Sequence, residues 1–172
     1  MNQIKKLIYS LFILFLTISC KSTIDSVEVN KQNINQTIDS WHKAASNAQI
    51  DDYFSLMTSD GVFIGTDATE NWQNEAFKTF CKPYFDKGKA WDFSSLQRNI
   101  YLNKNQDIAW FDELLETQMK ICRGSGVLMK VENKWKIAHY VLSMTIPNEL
   151  ATEVTKLKDK TESEEILKLR AK

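Results

Sequence analysis

Glycine and proline are scarce in this chain, five and two of 172 residues, which argues against disorder along most of its length. Cysteine is nearly as rare, with three, and no Cys-x-x-Cys or His-x-x-x-His spacing occurs, so a zinc site is not expected. Surplus charge is missing too. Lys+Arg and Asp+Glu both total 22, which excludes a strongly basic nucleic-acid-binding surface, and no nucleic-acid partner is expected. No apolar run reaches the length of a comfortable membrane span. No glycine-rich phosphate loop is present, because Arg123-Gly124-Ser125-Gly126 falls inside a strand pattern and does not open a helix. Internal repeats are absent, and no cofactor is implied. What the chain does have is rings: five Trp, five Tyr and nine Phe in a composition that is 43% hydrophobic. That is enough for one domain of about 100–150 residues with an aromatic core.

The N-terminus reads as an address. Lys5 and Lys6 precede a mostly apolar run from Leu7 to Ile18, the layout of a secretory signal over residues 1–19. The run ends in Leu16-Thr17-Ile18-Ser19-Cys20, which resembles the lipobox of bacterial lipoproteins and implies cleavage before Cys20 and lipidation of its thiol. An uncleaved anchor and an ordinary secretory signal are the alternatives. Losing Lys5 and Lys6 leaves 20 basic against 22 acidic residues, so acyl chains rather than charge would hold the mature protein to a membrane. Cys20 and the polar stretch to residue 33 read as a tether. The expected location is the bacterial cell envelope, periplasm-facing or at the outer membrane. There Cys81 and Cys122 could pair, or could remain two buried thiols.

Ile34, Ile38, Trp41, Ala45 and Ala48 recur at helical spacing, and Asp51-Asp52 can open a second helix. Val62-Phe63-Ile64 reads as a short strand, and Asp67 with Glu70 as a capping-box start to a third helix carrying Phe77, Phe80, Cys81, Tyr84 and Phe85. Three strand-like segments follow, at 91–103, 107–130 with a break, and 134–146, joined by tight connections that favour antiparallel neighbours. Helices first and strands after predict an α+β domain over 34–148, with about three helices against one face of a curved antiparallel or mixed sheet. Residues 149–172, rich in both charge signs, read as a helical tail. Alternation predicts that Arg123 shares a covered face with Met119, Ile121, Val127 and Met129, and His139 one with Trp135, Ile137 and Val141. Lys120, Gly124, Gly126 and Lys130 are expected to face outward and look too polar for a large interface.

Residues from about 36 to 149 resemble the SnoaL-like branch of the nuclear transport factor 2-like superfamily. The likeness rests on Trp41…Tyr53-Phe54-x-Leu56-Met57, Asp60-Gly61-Val62-Phe63-Ile64-Gly65-Thr66-Asp67, Ala109-Trp110-Phe111-Asp112-Glu113, Arg123-Gly124-Ser125-Gly126-Val127-Leu128 and Trp135-Lys136-Ile137-Ala138-His139. The resemblance implies a cone, a bent sheet wrapped around helices with a cavity at the wide end. It also implies a family of isomerases, dehydratases, cyclases and binding or adaptor proteins, so fold does not settle function. No catalytic set of that family maps onto this sequence residue by residue.

The candidate site residues follow from these faces. Arg123, inward among apolar neighbours, must meet a carboxylate, water or an anionic ligand, and Asp112 or Glu113 could pair with it. His139 is the candidate acid or base. Asp67 is a second candidate base or simply a cap, and His42 is expected on the flank of its helix. Trp41, Tyr53, Trp72, Tyr84, Trp110 and Trp135 are candidate aromatic walls, with core packing as their alternative role. Three functions remain open. One is a lipid-anchored module binding a small, partly apolar, carboxylate-bearing ligand. The second is an enzyme using His139 or Asp67 as base with Arg123 as electrostatic stabiliser. The third is an interaction module, such as a homodimer.

Overall fold

The computed structural model describes residues 26–171; Cys20 and the signal segment lie outside the described residues. Helix α1 runs Val27–Ser46, α2 Ile50–Ser55 and α3 Asn74–Phe85. The strands are β1 (Met57–Ile64), β2 (Asn71–Gln73), β3 (Ser94–Leu102), β4 (Ile108–Thr117), β5 (Lys120–Val131) and β6 (Lys134–Met144). They form one six-stranded sheet in the order β2-β1-β6-β5-β4-β3. All neighbours are antiparallel except β1 and β6, which are parallel, so the sheet is mixed. Helices α1 to α3 cover one face. A last helix, α4 (Ala151–Arg170), has no buried residue, in keeping with its alternation of charge.

The apolar stripe of α1 goes inward as its spacing dictates: Ile34, Ile38, Trp41 and Ala45 are all buried. The helix starts at Val27, inside the segment expected to be a tether, because Ser26 caps the Val29 N–H and Asn30 is needed below. Asn30 is buried; its Oδ1 accepts from Trp135 Nε1 at 3.1 Å and Lys130 Nζ at 3.3 Å, and its amide donates to Gln106 at 2.9 Å. This ties the first turn of α1 to the β3–β4 and β5–β6 hairpins.

The helix-covered face of the sheet carries Phe111, Glu113 and Leu115 from β4, Cys122, Gly124, Gly126 and Leu128 from β5, and Trp135, Ile137, Tyr140 and Leu142 from β6. This corrects the expected phase of two strands. Arg123 is exposed on the outer face, where it pairs in register with Leu114 and Ser143. His139 is also on the outer face: the register shifts between Val127 and Leu128, and that extra residue carries β6 from Ile137 inward to Tyr140 inward. Both glycines of β5 point inward because the space is taken. A Cβ on Gly124 would collide with the Tyr140 hydroxyl and sit 2.9 Å from Glu113 Oε1; one on Gly126 would meet the His139 carbonyl and the Phe111 ring.

Candidate functional site

Two features occupy the concave side. The first is a buried polar cluster behind the aromatic core. Glu113, 1% exposed, projects from β4 between Phe111 and Leu115. Its Oε1 lies 2.9 Å from His42 Nε2 and accepts the Tyr140 hydroxyl proton at 3.0 Å. Its Oε2 lies 2.9 Å from Arg98 Nε and 2.8 Å from Arg98 Nη2. Arg98 Nη1 in turn reaches Asp39 at 2.7 Å and Asn35 Oδ1 at 3.1 Å. Burial alone pushes the Glu113 carboxyl up, but the hydrogen bond and charge of His42 and the charge and hydrogen bond of Arg98 outweigh it and hold the group below its ordinary value. The carboxylate is therefore ionised near neutral pH, and His42 Nε2 carries a proton to donate to it. Burial, then the neighbouring Glu113 charge and its hydrogen bond, raise the Tyr140 hydroxyl well above its ordinary value, so it stays a donor. Every oxygen of Glu113 is used twice. The cluster is a structural network that fixes α1 to β3, β4 and β6, with His42 Nδ1 left buried and without a hydrogen-bond partner.

The second feature is open. A cleft of about 140 Å³ lies between α3, the β1–β2 turn, the segment before β3 and the β4–β5 turn. Phe63, Trp72, Phe77, Phe80, Trp91 and Phe93 line it, with Met119 and Leu142. Thr66, Glu70 and Gln118 supply its polar groups, and Gly65 completes the wall. The rings brace one another: Phe63 stacks on Phe77 at 4.1 Å between centroids and Trp72 on Phe80 at 4.3 Å. The spacing of α3 aims Phe77 and Phe80 at the β1–β2 ribbon, and cross-strand pairing of Phe63 with Trp72 completes the wall. The two features meet at Phe93, whose ring lies 5.8 Å from that of His42 and also lines the cleft.

The sequence-derived candidates separate on this geometry. Trp72 lines the cleft. Trp41 and Tyr53 are buried behind it, stacked at 4.7 Å, and Trp135 is buried against Asn30. Burial raises the Tyr53 hydroxyl well above its ordinary value. Tyr84 is exposed one turn along α3 from Phe80, its ring 5.5 Å from that ring, and does not line the cleft; Trp110 is on the outer sheet face beside Tyr101. Asp112 also faces outward and accepts from Asn99 at 3.0 Å. It does not pair with Arg123, and Glu113 takes Arg98 instead. Asp67 sits in the β1–β2 turn, where its Oδ1 accepts from the Thr69 hydroxyl and N–H. These bonds lower its pKa, which makes it a weak base. The reciprocal bond from Asp67 N–H to Glu70 Oε2 is present at 3.2 Å, yet it closes a turn into β2 rather than starting a helix, and α3 begins only at Asn74. His139, Asp67 and Arg123 are not brought together. His42, expected on a helix flank, is buried at the centre of the polar cluster. Cys81 and Cys122 are separate buried thiols, and burial pushes the Cys81 thiol far up.

Residues 34–147 match the family profile of the SnoaL-like domain. No curated protein matches the chain. Among solved structures it is similar to an NTF2-like protein of unknown function from Pseudomonas putida, at 15% identity over 72% of this chain and 92% of that one, with a TM-score of 0.60. It is similar to an NTF2-like protein from Cytophaga hutchinsonii, at 15% identity over 71% and 100% of the two chains, TM-score 0.56. It is also similar to the association domain of the Caenorhabditis elegans kinase CaMKII, at 20% identity over 69% and 98%, TM-score 0.57.

Proposed function

The chain belongs to the SnoaL-like domain family, and from that premise we propose that it is a binding module whose cleft takes a small, flat, mostly apolar ligand. The observation that carries this reading is the ring-lined hollow between α3, the β1–β2 turn and the β4–β5 turn. Its 140 Å³ is close to the roughly 150 Å³ of a cavity that accepts a single benzene ring. Ligand sites of this kind combine apolar walls with a few placed polar groups. Here Glu70, Thr66 and Gln118 are those groups, and Glu70 is the one side chain of the lining that ionises. A carboxylate-bearing ligand, attractive while Arg123 was expected inside, finds no cation there. Titration with benzyl alcohol, followed at the indole signals of Trp72 and Trp91, tests the reading. Replacing Phe77 by Ala should weaken saturable binding, whereas indifference of both indoles to the ligand would refute it.

A second reading is favoured by the outer face. One register row across the sheet runs Tyr101, Trp110, Val127, His139 and Val62, and Ile108 and Met129 lie beside it. Tyr101 and Trp110 are 46% and 47% exposed. This face is far less polar than the one expected from the mistaken strand phase. It suits a second copy of the chain laid sheet to sheet, and one structural neighbour is itself an association domain. Export and lipidation at Cys20 complete the proposal, supported by Lys5, Lys6 and the Leu16–Cys20 pattern. Among the described residues no helix is long and apolar enough to cross a membrane. Fatty-acid labelling lost in Cys20→Ser and retained in the native chain tests the anchor.

A further inference from the structure

We propose that the natural ligand of this cleft is a small organic cation of the quaternary-ammonium kind. The inference rests on the cleft being a ligand site and adds the chemical class. Half of the twelve lining residues are aromatic, and the single ionisable side chain among them is a carboxylate. Ring faces carry negative charge and attract cations, most strongly where water is excluded. Trp72 and Trp91, the ring type that does this best, are both in the wall. An anionic guest would meet Glu70 as a like charge and find no basic partner in the wall.

Glu70 is also held in place rather than free to swing. Its Oε2 accepts the Asp67 N–H, and its carbonyl accepts the Gly65 N–H at 3.0 Å. The carboxylate lies flat over Gly65, in space that a Cβ at that position would occupy. A glycine at 65 therefore fixes where the negative charge stands at the mouth of the ring-lined hollow. This is the arrangement a bulky cation with a greasy surface needs: a desolvating wall of rings and a positioned counter-charge at the edge.

The test compares choline with its uncharged isostere 3,3-dimethylbutan-1-ol on the intact protein, with chemical shifts of the Trp72 and Trp91 indoles as readout. Choline should bind about tenfold more tightly. Glu70→Gln should abolish most of that preference, bringing choline and its uncharged isostere to similar affinities. Gly65→Ala, which pushes the carboxylate aside, should do the same in a protein whose spectrum shows it folded. Vesicles of phosphatidylcholine in a parallel titration distinguish a lipid headgroup from a free cation as the source. Equal binding of the two isosteres, or a preference that survives Glu70→Gln, overturns the cation while leaving the cleft standing. Failure of benzyl alcohol as well overturns the cleft reading itself.

Discussion

Tyr140 donates its hydroxyl proton to Glu113 across Gly124, 3.0 Å from oxygen to oxygen, and the missing side chain of that glycine is what lets the two meet. Replacing Gly124 by Ala puts a methyl group where the hydroxyl and Glu113 Oε1 already are. It should destabilise the protein by about 1–3 kcal/mol, the usual cost of overpacking. Adding Tyr140→Phe to that variant removes part of the clash, so the double variant should lose less than the sum of the singles. Denaturant midpoints of the four proteins check this coupling.

Glu113 neutralises a buried Arg98 and accepts from His42 and Tyr140 at once. Glu113→Gln removes the charge and keeps the shape. It leaves Arg98 without its inner partner and should cost about 3–5 kcal/mol, as breaking a buried pair does. Urea unfolding measures it; a loss below 1 kcal/mol would mean that Asp39 alone satisfies the guanidinium.

The same carboxylate sets an acid limit. Its folded pKa lies below its ordinary value, whereas an unfolded Glu titrates near about 4.3. The stabilisation is fully present above the unfolded value and is lost as pH falls through the depressed folded one. Stability of the native chain should drop in that range more steeply than stability of Glu113→Gln. Parallel curves for the two proteins would contradict the assignment.

Trp110 lies between Tyr101 and Val127 in the register row on the outer face. If two copies pair through that face, Trp110→Asp should convert a dimer to a monomer in sedimentation velocity with little change in thermal stability of the monomer. A native chain that is monomeric at high concentration contradicts the pairing.

The apolar faces of the helices were legible in the sequence because helical spacing leaves few alternatives: Ile34, Ile38, Trp41 and Ala45 could share only one face, whereas β2 was hidden under the capping-box reading of Asp67 and Glu70. The face of β5 was not. Both of its phases carry apolar residues, and Gly124 and Gly126 read as solvent-facing until Tyr140 and Phe111 are seen to fill the space above them. In β6 a register shift moves His139 outward after Ile137, and alternation contains no sign of it. Glu113, between Phe111 and Leu115, carried the same signal as Arg123, a charge within an apolar phase, and there the signal was true. Arg98 and His42 come from distant elements and meet Glu113 only through the tertiary fold. The cleft combines Trp72, Phe77 and Trp91 from three separate segments, so only Trp72 stood out beforehand.

The five tryptophans provide the most direct test of the central claim, that the ring-lined hollow is where a ligand sits. Trp72 and Trp91 line it, Trp41 and Trp135 are buried elsewhere, and Trp110 is on the opposite face of the sheet. In a titration of the protein with benzyl alcohol, the indole N–H signals of Trp72 and Trp91 should move saturably while those of Trp41, Trp110 and Trp135 stay in place. Movement of Trp110 alone, or of none of the five, would contradict the account.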